Sequence, residues 1–293
     1  MPTVSHPAEP SSLERYLEAA ERASAEVIDT YSTSFGWASK LLGKKEQQPV
    51  RNIYALVRVA DEIVDGAAAE ANDNPAKLLD ELEAETYRAM ESGFSTNLVV
   101  HAFAHTAREA GIKRDIVEPF FHSMRMDLTE REHDQKSFDT YVYGSAEVVG
   151  LMCLKVFMVG QEYSKEERVT LIAGARALGA AFQKVNFLRD LSADFKKLGR
   201  SYFPGVNVST FDEKTQIRLI EDIQNDLATS AKTLPLLPTG SRKAVAAAQM
   251  FFEALNERIR NTPAEVLIDT RISVPNPQKL YILSKTLLGV VPK

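Results

Sequence analysis

The stretch Gln183-Lys-Val-Asn-Phe-Leu-Arg-Asp-Leu-Ser-Ala-Asp194 constrains this chain more than any other. As a helix it places Asn186, Asp190 and Asp194 at i, i+4 and i+8, so three oxygen-bearing side chains line one face. Gln183 sits one turn earlier on the same side, while Val185, Leu188 and Leu191 take other positions and can enter a core. The device recurs in Val57-Arg-Val-Ala-Asp61-Glu-Ile-Val-Asp65, where Asp61 and Asp65 are again four apart beside apolar Ile63 and Val64. Like charges at i, i+4 weaken a helix, so a chain that accepts them twice points to something cationic between the ladders. A hard divalent ion such as Mg²⁺ takes oxygen ligands and completes its shell with water and substrate phosphate. Arg58 and Arg189 stand beside the ladders, each able to grip a phosphate.

The rest of the composition narrows the field. The 293 residues are 44% hydrophobic and 26% charged, ordinary globular material with ample core. A net charge of −5 argues against a nucleic-acid partner, which needs a basic stripe. The one cysteine, Cys153, excludes an intramolecular disulfide, and a cytoplasmic setting is the default expectation. No apolar run approaches the ~18–20 residues needed to span a bilayer, which leaves at most a peripheral contact with a membrane surface.

Along the chain, residues 1–11 read as disordered and 12–293 as one domain. Ser12 is expected to cap a helix running to about Asp29. Tyr31-Ser32-Thr33-Ser34-Phe35 sets three hydroxyls between aromatics. They either bond the local backbone, the commoner role, or offer neutral donors to phosphate oxygens. Pro49 is expected to start the next helix, which carries Tyr54, Arg58 and the first ladder. A loop over 66–75 precedes helices at about 76–92, 97–110 and 114–128. His101 and His105 have the spacing of a zinc pair, but no further ligand follows in a recognised pattern and zinc is discounted in favour of a partly exposed pair. Gly144 and Gly150 interrupt an apolar stretch over 138–159, and Gly174 and Gly179 recur in a small-residue run, signals of close helix packing. A long helix from about Ser164 reaches the central ladder, and Gly199-Arg-Ser-Tyr-Phe-Pro204 ends it, adding Arg200 and Tyr202 beside Asp194. Further helices fit 209–234, 240–261 and 275–289. No strand alternation or repeat is present, so the architecture is all-α, with about ten helices in a bundle.

Two acidic ladders in such a bundle suggest a metal-held diphosphate. The metal makes diphosphate a leaving group, the arginines steady the departing charge, and apolar helices wall off the resulting carbocation. From about Tyr31 to Lys285 the chain resembles the squalene/phytoene synthase family. The resemblance rests on Tyr31 to Phe35, Tyr54-x3-Arg58-x2-Asp61-x3-Asp65, Tyr141-x-Tyr-Gly, Gln183-x2-Asn186-x2-Arg189-Asp190-x3-Asp194, and Gly199-Arg-x-Tyr-x-Pro204. It implies an all-α isoprenoid synthase fold and head-to-head coupling of two prenyl diphosphates through a cyclopropyl diphosphate. By position it implies that Asp61, Asp65, Asn186, Asp190 and Asp194 hold Mg²⁺, with Mn²⁺ as the alternative ion. Tyr31, Ser32, Thr33, Ser34, Tyr54, Arg58, Gln183, Arg189, Arg200 and Tyr202 would contact diphosphate or substrate, and Tyr141 would sit by the reacting carbons.

Two positions depart from that pattern. Glu147 stands where relatives usually have glycine, and the C-terminal basic cluster is reduced to Lys279 within Val274-Pro-Asn-Pro-Gln-Lys279. Ser39 replaces the bulky aromatic of members that make C30 products, which favours two geranylgeranyl diphosphates and phytoene, in carotenoid biosynthesis, although Trp37 can refill the space. The product would leave by peripheral contact with the inner face of the membrane, and no nicotinamide cofactor is expected. The competing readings are a farnesyl-using dehydrosqualene or squalene synthase, a terpene cyclase, which would accept one diphosphate, and a non-catalytic assembly factor, which should have lost ladder residues.

Overall fold

A computed structural model of the chain describes residues 9–32, 34–193, 200–206 and 208–292; Thr33 and Asp194, named above, lie outside them. Among the described residues there is no strand, only one isolated bridge between Glu132 and Ser201. In chain order the helices are α1 (Ser12–Tyr31), α2 (Ser34–Ser39), α3 (Lys44–Asp65), α4 (Ala67–Glu70), α5 (Pro75–Ser92), α6 (Leu98–Ala110) and α7 (Arg114–Thr129). There follow α8 (Gln135–Val142), a single wide π-turn over Tyr143–Glu147, α9 (Val148–Phe157), α10 (Lys165–Ala193), α11 (Glu213–Ala231), α12 (Thr239–Arg260), α13 (Ala264–Leu267) and α14 (Asn276–Leu287). The all-α expectation holds.

Local chemistry sets the helix ends. The cap of α1 is Ser11 rather than Ser12, because Glu14 lies three residues after Ser11 and completes a capping box. The Glu14 N–H donates to the Ser11 hydroxyl at 3.2 Å, and the Ser11 N–H donates to the Glu14 carboxylate at 2.6 Å. Helix α3 starts at Lys44, so Pro49 does not open it but lies in its second turn. The carbonyl that loses its partner there is that of exposed Lys45, which water can satisfy. The segment 66–75, expected as loop, contains the short α4; Asn74 then caps α5 by accepting from the Lys77 N–H at 3.1 Å, with Pro75 in its first turn.

The core falls into linked clusters. One joins α3, α5, α6, α7 and α9 around Phe103, Phe120, Phe121 and Met152; another joins α10, α11 and α12 around Leu188, Ile220 and Ile223. A smaller one seats Ile282 of α14 against Ala247, Ala248 and Phe251 of α12. His101 is fully buried in edge-on contact with Tyr16 and Phe94, ring centroids 4.9 and 5.5 Å apart, while His105 is exposed. The pair is therefore not jointly half-exposed, and His101 is an aromatic packing element.

The glycines do what the small-residue runs foretold. A methyl group on Gly179 would sit 2.5 Å from the Ala146 carbonyl oxygen, and one on Gly144 would collide with the Pro119 carbonyl and the Ser123 hydroxyl. Without these side chains the π-turn lies directly on α7 on one side and α10 on the other. Since the obstacle at Gly144 is backbone, Gly144→Ala should destabilise the protein by about 1–3 kcal/mol, read as a lowered urea midpoint. An unchanged midpoint would show that the contact is not tight.

Candidate active site

The cavity-side positions of α3 and α10 pass from apolar to polar along the chain. On α3, Val50 is followed by Tyr54, Val57 and Arg58, then Asp61 and Asp65; on α10, Leu171, Leu178 and Phe182 are followed by Gln183, Asn186, Arg189 and Asp190. Both helices line one cavity of about 650 Å³. Its apolar wall includes Leu42, Val149, Leu154, Phe157, Leu237 and Phe251, and its polar part includes Tyr31, Ser32, Tyr54, Arg58, Gln183, Asn186 and Arg189. The structure thus brings most of the expected substrate-binding residues to a single wall. The Arg58 guanidinium lies 4.4 Å above the Tyr31 ring and pairs with Glu62, leaving its Nε buried without a partner. Gln183 Nε2 donates to the Ser145 hydroxyl at 3.3 Å, from the π-turn.

Two further cations face this wall. Arg271 and Lys279, one before and one within α14, line the same cavity. Burial first, and then the charge of Arg189, push the Lys279 ammonium below its ordinary value, so the two cations are neighbours. The reduced C-terminal motif therefore still delivers Lys279, and it delivers Arg271, which the sequence reading did not single out. The signal was available: Arg271 opens a stretch of 23 residues without a single carboxylate.

The carboxylates sit beside the cavity rather than in its wall. Asp65 receives Arg200 Nη1 at 2.6 Å; Asp190 pairs with Arg189, and Arg271 Nε donates to its Oδ1 at 2.7 Å. Burial alone would raise the Asp190 carboxyl, but these two arginines hold it below its ordinary value. Asp61 has no such arginine bond. Burial, followed by the charge of Asp65, pushes it up to about 8, with Arg58 acting in the opposite sense. Asn186 Oδ1 is buried and has no hydrogen-bond partner.

Among the described residues no group of three or more histidine, cysteine, aspartate or glutamate side chains is arranged to hold a metal ion, and Asp194 is not among them. The donor set nevertheless fits a hard divalent cation. Asp61 and Asp65 are close enough to raise a pKa, and an orphaned amide oxygen stands on the other helix.

Behind the ladder of α3 lies a buried network that sequence reasoning missed. Asp127, on α7 and 3% exposed, accepts from the Tyr141 hydroxyl at 2.8 Å and the Tyr202 hydroxyl at 3.2 Å. Arg200 lies 3.4 Å from the same carboxylate and donates to the Asp127 carbonyl at 2.8 Å before reaching Asp65. Tyr141 packs at a tilt against Phe187 and Tyr202 and does not line the cavity. Arg200 reaches the α3 ladder directly at Asp65 and Tyr202 bonds Asp127, and neither lines the cavity. The clue in the sequence was the placing of Asp127 seven residues after Phe120 and three after Met124, on the apolar face of α7.

Glu147 closes the π-turn and pairs with Arg176 Nε at 2.5 Å, away from the cavity lining. Ser39 is buried and does line the cavity, its hydroxyl donating to the Gly36 carbonyl at 2.9 Å, whereas Trp37 does not line it. Cys153, in the apolar wall, has its thiol pushed up to about 12 by burial and stays protonated.

Burial pushes Asp127 up to about 7, Asp65 adding to the rise while Arg200 and the two tyrosine hydroxyls oppose it. A carboxyl at about 7 in the fold against an ordinary 3.8 means that the folded state holds the extra proton between those values. Its contribution to stability is present at the acid end and is lost as pH rises from about 4 through about 7. The melting temperature of Asp127→Asn should lack this decline, whereas the wild type shows it on top of the opposite trend of nearby His133, whose pKa burial lowers. Parallel pH profiles for the two proteins would contradict the assignment.

With this geometry in view, comparison with known proteins gives a consistent result. The family model described as squalene/phytoene synthase matches residues 28–278. A 15-cis-phytoene synthase of Paracoccus sp. is 28% identical over 283 residues, covering 89% of this chain and 88% of that one. The 15-cis-phytoene synthase of Pantoea ananas is 27% identical over 281 residues, covering 88% of each. Among solved structures, a dehydrosqualene synthase in complex with ligand superposes with a TM-score of 0.78 at 21% identity, over 95% of this chain and 99% of that one.

Proposed function

The chain belongs to the squalene/phytoene synthase family, a family of enzymes, and on that premise we propose that it joins two geranylgeranyl diphosphates head to head to give phytoene. The observation that carries this reading is the single cavity whose wall passes from apolar side chains to a cluster of cations and neutral donors, with the acidic ladders beside the cluster. Such a surface suits a ligand with a hydrocarbon tail and a diphosphate head. The preference for C20 over C15 units is supported by Ser39, a small side chain in the cavity wall. Residues 12–293 would act as one domain.

In the proposed reaction the allylic carbon–oxygen bond of the first substrate breaks, diphosphate leaves with the electron pair, and the double bond of the second substrate attacks the cation. Loss of a proton closes a cyclopropane. The second diphosphate then leaves, and rearrangement with loss of another proton gives the linear product, so no hydride donor is consumed. Arg58, Arg189, Arg271 and Lys279 would bind the diphosphate oxygens and stabilise the charge that develops on them. Ser32 and Tyr54 would add neutral donors. Arg189 and Arg271 must exchange the Asp190 carboxylate for phosphate oxygens as substrate enters, which frees Asp190 on α10.

Asp61, Asp65, Asn186 and Asp190, with Asp194, would hold Mg²⁺ or Mn²⁺. When bound, the ion neutralises diphosphate and makes it a leaving group. The apolar wall excludes water from the carbocation, and the Cys153 thiol, kept protonated, does not compete as a nucleophile. Tyr141 would act on the site through Asp127 and Arg200 rather than at the reacting carbons. A hydrocarbon product would leave through peripheral contact with a membrane.

Product analysis by mass tests this reading. Purified protein with Mg²⁺ and geranylgeranyl diphosphate, without a nicotinamide, should give a C40 hydrocarbon, and Asp190→Ala should lower its rate roughly a thousandfold or more. Ser39→Phe should shift preference towards farnesyl diphosphate. A C30 product from farnesyl diphosphate alone would overturn the chain-length assignment, and a cyclic product from one diphosphate would overturn the coupling.

A further inference from the structure

Helix α14 is apolar on two faces. Ile282 and Thr286 are buried against the body of the protein, with Ile282 in the cluster formed by α2 and α12. The opposite face carries Leu280, Tyr281 and Leu287 around one small polar side chain, Ser284, and Leu288 caps the helix; all five are exposed, Leu288 at 85%. Val290 and Val291 continue the exposed apolar surface. A helix of a water-soluble body normally turns its second face polar, so this outward stripe of large side chains lacks a partner in the fold.

The charge around the stripe tells what covers it. Asp269 is the last acidic residue, and the 24 residues after it contain Arg271, Lys279, Lys285 and Lys293 and no carboxylate, in a chain whose net charge is −5. Lys285 lies with its ammonium 4.5 Å above the exposed Tyr281 ring, and Lys243 of α12 donates to the Leu287 carbonyl at 3.1 Å, adding a cation at the far end of the helix. Exposed leucines flanked by lysines, with a tyrosine between them, match the boundary between acyl chains and anionic headgroups. A second copy of the chain fits less well, because a two-fold interface would set these lysines against themselves. Location adds to the case. Lys279 at the start of α14 lines the cavity, and α14 packs on α12, which supplies Phe251 to the cavity wall.

We propose that the outward face of α14, with the segment that follows it, docks the protein on the surface of an anionic lipid bilayer, where the mouth of the cavity opens beside the acyl chains. The use of that placement, release of a hydrocarbon into the bilayer, rests on the coupling reaction proposed above; the docking itself rests only on the surface.

Flotation of the intact chain with vesicles tests the docking. The protein should rise with vesicles of phosphatidylcholine mixed with phosphatidylglycerol, and less with phosphatidylcholine alone or at high salt. The double variant Leu287→Ser/Leu288→Ser should lower partitioning by about tenfold or more while its melting temperature stays that of the wild type, since both side chains are exposed. Lys285→Glu should lower partitioning to the anionic vesicles about tenfold and leave the neutral ones unchanged. Wild-type protein that stays at the bottom with both vesicles would overturn the proposal. So would variants that float as the wild type does, or a dimer in sedimentation that is lost in the double variant without any vesicle binding. C40 synthesis measured in detergent separates the two claims: flotation without coupling would leave the docking surface standing and remove the proposed reaction.

Discussion

Carboxylates held close together in a partly dry setting govern the centre of this molecule. Burial first, and then the repulsion of Asp65 one turn away on α3, lift Asp61 to about 8. The surroundings respond by delivering cations from far along the chain. Arg200 comes to Asp65 from beyond α10, and Arg271 comes to Asp190 from just before α14. These long-range pairs hold Arg200 and the segment before α14 against the body. A cation entering between the ladders would relieve the same repulsion and release Arg271 to an anion, so the charge balance of the fold and the proposed chemistry would share residues.

Much of this was legible in the sequence because it follows from helical spacing. The ladders, the arginines beside them and the small-residue runs all depend on the 3.6-residue period and needed no knowledge of distant contacts. The same holds for the all-α architecture. The errors at helix ends were local: Ser12 in place of Ser11, and Pro49 read as a start when three-dimensional packing had extended α3 by more than a turn before it. The loop expected at 66–75 hid α4 for a similar reason, since Ala67 to Ala69 favour helix despite flanking Gly66 and Asn72.

What the sequence did not show depends on which helices meet. Asp127 reads as one charge on an apolar stripe, and only the approach of α8 and of residues 200–202 makes it the acceptor for Tyr141 and Tyr202 and the partner of Arg200. Tyr141 was expected at the reacting carbons; for that reason its hydroxyl is bound to Asp127 and its side chain lies outside the cavity lining. Arg271 lies in a stretch without helical period, so only the lack of carboxylates after it set it apart. The wide π-turn at Tyr143–Glu147 likewise arises where Gly144 and Gly179 let three segments converge, and it turns Glu147 outward to Arg176.

The central claim is that α3 and α10 together form a metal-assisted diphosphate site. Calorimetric titration with inorganic diphosphate, in the presence and absence of Mg²⁺, tests it most directly, because it needs neither the hydrocarbon tail nor turnover. Asn186→Ala is the variant of choice, since its amide oxygen has no protein partner to lose. Binding should require Mg²⁺ and weaken about tenfold or more in Asn186→Ala. Binding of equal strength without the ion, or unchanged in the variant, would contradict it.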